Sequence, residues 1–404
     1  MIYIFTSGNF LLPDVKDLSQ WAVIACDQFT SQPEYWDNVR TIAGNSPSAY
    51  NLILPEAMLK DSDMLQKTEQ INAAMNSYIE QNIFTEYRDS YIYVERELLD
   101  GSIRRGVVGV IDLKEYDYRE GKMPRIRATE ETVKERIPAR KLIRENAALE
   151  LSHVILLCDD EKKNLIEPLT HSKHSMKKLY GFELMLGGGK IDGWLMNGEQ
   201  ARAFTTRMNA YIKRKSKELS LTFAVGDGNH SLAAAKACYL ENPTELSRYA
   251  MVELENIHDD ALKFEPIHRI VKGVKPEEFI SEIQNQICVK GWTNSRNSWA
   301  LNYYYHGKKG IVFIDKSKGA SALIVLQKYL DAKGCNIDYI HDTESLRKLA
   351  DESGCVGFEM PAFDSNAKRD FFSVISQSGV LPRKTFSMGH AQEKRYYLEA
   401  RRIK

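Results

Sequence analysis

Hydrophobic and polar positions alternate along the chain with a period that changes repeatedly between helical and extended. Residues 57–83 carry apolar side chains at helical spacing, and the apolar segments on either side of Asp100-Gly101 alternate as the strands of a β-hairpin do. Residues 199–218 are amphipathic, LTFAV is typical of a buried strand, and SLAAAKACYLE favours an Ala-rich helix. The pattern therefore predicts mixed α and β structure with a helix–strand–turn–helix unit in the middle of the chain.

The same kind of pattern divides the chain into two parts. ENAALEL predicts a helix and HVILLC a strand before the central unit, and a new series of helices and strands begins near residue 275 with PEEFISEIQNQI. A length of 404 residues favours two or three domains. We predict an α+β fold with mixed sheets, in which residues 1–270 form the main domain and residues 271–404 a smaller C-terminal α/β lobe.

Composition narrows the class of protein. Lys+Arg and Asp+Glu each number 55, so the chain has no net charge to attract nucleic acid or an anionic membrane. The apolar runs are shorter than a transmembrane helix requires, and the N-terminus lacks the features of a signal peptide. The six cysteines are widely spaced and match no metal or disulfide motif. We expect a cytoplasmic protein with no nucleic-acid partner, no membrane partner and no metal cluster; the sequence does not indicate the oligomeric state.

The most informative segment is LTFAVGDGNHSLAAAKACYL, where a predicted strand meets a predicted helix through two glycines. The first N–H groups of a helix lack partners within the helix, and the helix dipole favours an anion beside them. The phosphate-binding candidates are Asp227, Gly228, Asn229, His230 and Ser231. An ordinary connection is equally compatible with the pattern: Asp227 or Asn229 would cap the helix and His230 would bond to nearby backbone.

The segment DGNHSLAAA resembles the D-G-x-H-R-x-x-A turn of the ParB and sulfiredoxin-like superfamily, in which several members bind nucleotide phosphates at this junction. ALKFEPIHRIV, YIHDTESL, GVIDLKEYD and LPRKT resemble successive blocks of the family catalogued as domain of unknown function 1015, over nearly the whole chain. The chain departs from the superfamily pattern at two positions. Asn229 replaces the sulfiredoxin cysteine, which argues against thiol chemistry, and Ser231 replaces the usual Arg, which removes a fixed positive charge.

Basic and acidic residues elsewhere could complete such a site. Arg269 could supply the missing phosphate contact and His268 could act as an acid or base, although a buried pair bonded to backbone would leave the same pattern. Arg140 lies in the basic segment 125–144, which could bind a polyphosphate or form a salt-bridged, solvated helix. Glu130, in the same segment, matches a family position and is a candidate catalytic residue.

Polar residues that follow apolar runs give the remaining candidates. Asp27, in the loop that includes Ser31, could be a general base or a magnesium ligand, or it could belong to a simple turn. His341 and Asp342 lie at a strand-to-helix junction, where Asp342 also suits a helix N-cap. The pair Arg383-Lys384 is a further possible phosphate contact.

These residues predict a phosphotransferase that depends on a nucleotide or a phosphate ester and acts on a small hydroxyl metabolite. The resemblance to ParB-like free-serine kinases implies serine or phosphoserine, with Mg²⁺ and a nucleotide as cofactors. In this hypothesis the turn, Arg269 and Arg140 bind phosphates, and Asp27, Glu130, His230 or His268 performs proton transfer. The alternative is a non-catalytic regulatory protein that binds a nucleotide or phosphometabolite in the same place. A base close to the turn would favour the enzyme.

Overall fold

The computed structural model describes residues 3–30, 32–59, 63–119, 121–361, 365–382 and 384–404. Its helices are α1 Leu18–Trp21, α2 Pro33–Ala43, α3 Met64–Glu80, α4 Ile137–Glu145, α5 Leu169–Ser172, α6 Gly198–Glu218, α7 Asn229–Glu241, α8 Pro276–Ile287, α9 Ala322–Ala332, α10 Thr343–Ala350 and α11 Ser365–Ser378. Its strands are β1 Phe5–Thr6, β2 Gly8–Pro13, β3 Val23–Ile24, β4 Phe84–Glu97, β5 Ile103–Asp112, β6 Ile126–Ala128, β7 Leu149–Leu151, β8 Ile155–Cys158, β9 Lys177–Glu183, β10 Lys190–Met196, β11 Phe223–Asp227, β12 Tyr249–Asn256, β13 Phe264–Pro266, β14 His268–Lys272, β15 Ser298–Tyr305, β16 Lys308–Asp315, β17 Asn336–Ile340, β18 Cys355–Glu359, β19 Phe386–Met388, β20 Tyr396–Tyr397 and β21 Ala400–Arg402.

The chain forms two compact units. The first contains the residues up to Ala128, Thr132–Lys263 and Gly389–Lys404, and the second contains Thr129–Glu131 and Phe264–Met388. The second unit begins before the predicted boundary at residue 270 because β13 and β14 pair with β19, β17 and β18. The chain returns to the first unit because β20 pairs with β3 and β21 pairs with β2 and β7.

A mixed sheet of twelve described strands organises the first unit. Its main path runs β6-β11-β8-β12-β5-β4-β2-β21-β7, with β1 beside β5 and β10 between β4 and β9. Successive residues of β4 enter different apolar clusters: Tyr91 and Tyr93 pack in one, Ile92 and Val94 in the other. Both faces of the strand are therefore buried, as its alternating side chains require. Helices α6 and α7 contribute to the first cluster, and α2 and α3 to the second.

The second unit has its own antiparallel sheet, in the order β16-β15-β18-β14-β17. Apolar residues of α8 and α9 pack in one cluster with Val271, Leu301 and Phe358, whereas α10 contributes Leu346 and Ala350 to a separate cluster with Ile270. Neighbouring residues of β14 thus enter different clusters, so this sheet also has helices on both faces.

The predicted α+β class is confirmed, as is the hairpin of β4 and β5 around Asp100-Gly101. The order α6, β11, turn, α7 is the predicted helix–strand–turn–helix unit. Its likeness to the ParB and sulfiredoxin turn stays a prediction. The helix predicted through ENAALEL is wrong, because α4 ends at Glu145 and the following apolar residues form β7 against β21. Within the described ranges, no helix has the length and apolar character needed to span a bilayer.

Candidate functional site

The turn between β11 and α7 is built around one glycine. Gly228 has φ +75°, and a Cβ there would lie 2.8 Å from the Cα of Val154, the residue directly before β8. Only glycine combines this left-handed conformation with so close a backbone approach. Its N–H donates to Oδ1 of Asp227 at 2.9 Å, and its carbonyl accepts from Leu232 N–H at 3.0 Å as α7 begins. The sequence therefore directs the first turn of α7 toward the end of β11.

The two polar residues after Gly228 fix the neighbouring segment of the first unit. Asn229 Nδ2 donates to Thr132 Oγ1 at 2.8 Å, and Tyr116 donates to Asn229 Oδ1 at 3.2 Å. His230 Nε2 accepts the N–H of Val133 at 3.1 Å. The ring proton of a neutral His230 is consequently on Nδ1. This contact is the backbone bond that the structural alternative for His230 predicts.

Lys394, which the sequence pattern did not indicate, lies close to the turn and acts electrostatically on Asp27. Lys394 Nζ lies 3.4 Å from Asp227 Oδ2, and its charge also acts on Asp27. Burial by itself would raise the pKa of Asp27, but His153, Gln28, Lys394 and Arg140 together lower it below its ordinary value. Asp27 is therefore ionised at neutral pH, and solvent can reach it because 25% of its side chain is exposed.

A buried histidine and tyrosine support Asp27. His153 Nε2 lies 3.9 Å from Asp27 Oδ2, and His153 Nδ1 is 2.7 Å from the hydroxyl of Tyr397. Tyr397 accepts the N–H of Cys26 at 3.3 Å, and burial raises the pKa of the phenol, so its proton is retained. The other ring nitrogen of His153, Nε2, faces Asp27. The imidazole lies beyond hydrogen-bond distance of the carboxylate, and its electrostatic effect lowers the pKa of Asp27.

Arg140 brings a second positive charge to the same region. It lies on α4, where its Nη2 is 3.0 Å from Glu56 Oε2, and its charge lowers the pKa values of both Asp27 and Cys26. Burial nevertheless raises the pKa of the Cys26 thiol to about 12, so the thiol is protonated at neutral pH. Arg140, Cys26, Ser231 and Tyr397 all line one cleft of about 110 Å³ within the first unit.

The structure thus brings together part of the predicted set: Asp27, Asp227, Gly228, Asn229, His230, Ser231 and Arg140 are in the first unit around the start of α7. The other candidates belong to the second unit. Glu130 accepts the N–H groups of Lys384 at 3.2 Å and Thr385 at 3.0 Å, and burial raises its pKa. It anchors the LPRKT segment, of which Arg383 lies outside the described residues, as does Ser31 in the Asp27 loop.

His268 and Arg269 are buried in the second unit. Met360 N–H donates to His268 Nδ1 at 3.0 Å, Nε2 is 3.2 Å from Thr343 Oγ1, and burial lowers the pKa of the ring. The guanidinium of Arg269 donates to Gln327 Oε1 at 3.1 Å and to the carbonyls of Ile267 and Lys384. These contacts are those of the buried, backbone-bonded pair that was the alternative to a phosphate contact.

Of the predicted pair His341 and Asp342, Asp342 has a clear structural role. Asp342 is the N-cap of α10 and accepts Ser345 N–H at 2.7 Å, whereas His341 is exposed beside it. The N-cap role was one of the two interpretations of Asp342. The site derived for the first unit uses neither residue.

The sequence pattern of the family described as protein of unknown function (DUF1015) matches residues 11–338. The chain belongs to this family. The resemblance inferred from blocks such as FEPIHRIV is therefore confirmed at the level of the family, whereas the LPRKT block lies beyond the matched residues. No curated protein has a significantly similar sequence.

Solved structures show only remote likeness to this member of the DUF1015 family. SbnI with a C-terminal truncation, from Staphylococcus aureus, has 11% identity and a TM-score of 0.37, over 70% of this chain and 83% of its own. A free serine kinase in complex with AMP has 11% identity and a TM-score of 0.36, over 72% and 90%. A conserved hypothetical protein from Pyrococcus furiosus has 11% identity and a TM-score of 0.32, over 72% and 90%. Similarity at this level carries no argument about activity.

Magnesium stays a prediction for this DUF1015 chain, because Mg²⁺ in phosphoryl transfer is usually held by one or two carboxylates together with the substrate phosphates. Across the described ranges, no three His, Cys, Asp or Glu side chains are grouped so that they could hold a metal ion. The two carboxylates near the turn, Asp27 and Asp227, already share the positive charge of Lys394. We therefore derive no step through Mg²⁺.

Three residues of the site escaped the sequence analysis: His153, Tyr397 and Lys394. His153 stands directly before the apolar strand β8, and the other two belong to the basic and aromatic segment KRYY near the end of the sequence. The position of His153 before a strand and the composition of KRYY can be seen in the sequence, but neither indicates which residues these side chains contact. Arg96 explains how the segment reaches the site, because its buried guanidinium donates to the carbonyls of Gly188, Gln392, Glu393 and Lys394.

Proposed function

We propose that the first unit binds a phosphorylated small molecule at the start of α7 and transfers a phosphoryl group to or from a small hydroxyl metabolite. The observation that carries the proposal is the convergence of Asp27, Lys394 and Asp227 beside a cleft lined by Arg140 and Ser231. A nucleotide is the proposed phosphoryl partner, and a serine-like compound is the acceptor that the resemblance to ParB-like kinases implies.

Each group has a role that its surroundings support. The hydroxyl of Ser231 offers a donor to phosphate oxygens, and the helix dipole adds positive potential at the start of α7. Lys394 and Arg140 supply the charge needed as negative charge develops in transfer. Arg140 already pairs with Glu56, so a bound phosphate would share that guanidinium with the carboxylate.

Asp27 is the proposed base. Its lowered pKa keeps it ionised at neutral pH, and a weakly basic aspartate suffices when positioning and electrostatics supply most of the catalysis. His153 acts on the reaction only through Asp27, whose carboxylate it faces at 3.9 Å, and Tyr397 acts through its hydrogen bond with His153. They are positioning residues.

A regulatory binding protein is the second candidate, and one contact favours it. Asn229 and His230 bond to Thr132 and Val133, which directly follow the short segment Thr129–Glu131 of the second unit. A ligand that moved the first turn of α7 would also move this connection along the chain. In this alternative the site senses a phosphometabolite without turnover.

The two candidates are separated by measuring binding and turnover on the same variants. Thermal unfolding is followed with ATP, ADP, AMP, pyrophosphate, serine and phosphoserine, and ³¹P NMR then detects transfer. A ligand at a hundredfold excess over its dissociation constant stabilises the folded chain by about 2.7 kcal/mol. Lys394→Met is expected to abolish this stabilisation, whereas Asp27→Asn is expected to bind and to lose turnover.

The matched control is Lys163→Met, because Lys163 forms an exposed ion pair with Asp260 at 2.9 Å elsewhere in the first unit. It is expected to bind and react as the unaltered chain does. Binding with no turnover in the unaltered chain would favour the regulatory protein. If no phosphorylated compound stabilises it, the proposal is wrong.

A further inference from the structure

The cleft beside the turn has a wall that the phosphoryl chemistry does not require. Most of the described residues that line it are apolar, among them Leu54, Leu59, Met75, Ile143 and Ala234. They come from α3, α4, α7 and the segment before α3, so four parts of the first unit converge on one apolar surface. A free hydroxyl amino acid such as serine has almost no apolar surface to place there.

The polar residues of the cleft fall into two groups. Arg144 forms an ion pair of 2.5 Å with Glu150, a carboxylate that Arg401 also contacts at 2.6 Å. Cys26, Arg140, Ser231 and Tyr397 are the others, and of these Arg140 and Ser231 are the phosphate contacts of the proposed site. The apolar wall is therefore continuous with the anion-binding residues.

We infer that the ligand of this site is a phosphate ester whose organic part is a compact apolar group, and that this group fills the cleft between α3, α4 and α7. The inference rests on the proposed function and changes its acceptor from a serine-like compound to a hydroxyl compound with an alkyl group, whose phosphate ester is the ligand of this cleft. The cleft volume is about 110 Å³. An apolar protein cavity of about 150 Å³ accommodates a benzene molecule. A short or branched alkyl group of about four carbons is thus the size that fits.

Transfer of apolar surface from water into such a wall predicts how affinity should depend on chain length. Each buried methylene contributes enough to tighten binding about fourfold. Affinity should therefore rise from inorganic phosphate through methyl and propyl to butyl phosphate. It should stop rising at hexyl phosphate, because the additional carbons have no place in the cleft.

The test is isothermal titration calorimetry of the full chain with this series of phosphates. Ala234→Val places extra methyl groups in the cleft and is expected to remove most of the gain from propyl and butyl groups. Ala237→Val, on the same helix, is the matched control and should retain the full series. Leu59→Ala, which shortens the wall at a partly exposed position, gives a second variant should the first fail to fold.

The outcomes distinguish the inference from the proposed function. A rise of about fourfold per carbon that ends near butyl, and that Ala234→Val or Leu59→Ala weakens, supports the inference. Equal affinity for inorganic and alkyl phosphates overturns it and leaves the proposed function standing. An identical rise in the unaltered chain and both cleft variants also overturns it, because the alkyl group would then bind elsewhere. If neither inorganic nor alkyl phosphates bind, the inference is overturned, and the proposed function fails as well only if ATP, ADP, AMP and phosphoserine also leave thermal unfolding unchanged.

Discussion

Replacing Gly228 by alanine tests whether the close approach of the turn to β8 fixes the start of α7. Two penalties act together in the variant. The left-handed φ of +75° costs a residue with a Cβ about 1–2 kcal/mol. The new Cβ would also lie 2.8 Å from Val154 Cα and 2.9 Å from its Cγ2, and overpacking of this kind costs about 1–3 kcal/mol. The expected loss of unfolding free energy is therefore about 2–5 kcal/mol.

Gly101→Ala is the matched control for this prediction. Gly101 has φ +78° in the hairpin between β4 and β5, and its Cβ would meet nothing within 4 Å. This variant should lose only the conformational penalty. The difference between the two variants, about 1–3 kcal/mol, isolates the steric contact with Val154.

Urea unfolding monitored by intrinsic fluorescence measures both losses, and phosphate titration measures the effect on the site. We expect Gly228→Ala to weaken phosphate binding and Gly101→Ala to leave it unchanged. Equal destabilisation by the two substitutions would refute the steric argument. Normal phosphate binding by a folded Gly228→Ala chain would refute the role of this backbone geometry in the site.

Three further predictions concern buried polar groups. Burial lowers the pKa of His268, so below about pH 6.5 the unfolded chain binds a proton more readily than the folded chain does. The second unit should therefore lose stability as the pH falls through this range. His268→Asn should abolish this pH dependence of urea unfolding. Glu130→Ala should cost about 2–4 kcal/mol in the same assay, because two N–H groups lose their acceptor, and Glu130→Gln should cost less. Arg96→Met should lower the free energy of unfolding by at least about 3 kcal/mol and speed hydrogen exchange around Lys394, because the buried guanidinium binds the Lys394 carbonyl. Unchanged exchange there would show that Arg96 does not hold this segment in place.

The parts of the fold that depend on local pattern could be predicted from the sequence. Helix α6, strand β11 and helix α7 occur in the predicted order because their apolar spacing and the two glycines are local signals. The ENAALEL segment shows the limit. Its composition favours a helix, but Leu149–Leu151 pairs with β21, a strand more than half the chain away, and this pairing determines its conformation.

The candidate site was predictable to a similar degree. Asp27 stood out because polar residues after an apolar run tend to line sites, and the glycine turn because of its backbone chemistry. Lys394 could not be assigned from pattern alone. Its place depends on the buried hydrogen bonds of Arg96 to backbone carbonyls, and such contacts leave no periodic signal in the sequence.

The position of β21 also sets an order of events during synthesis. This strand lies between β2 and β7 in the first sheet, yet the ribosome makes it after the whole of the second unit. The second unit can therefore fold while β2 still presents an unpaired edge, which is a surface prone to pairing with other chains. Lys394 and Tyr397 emerge just before β21, so the nascent chain acquires the proposed ligand site at the same stage at which that edge is covered.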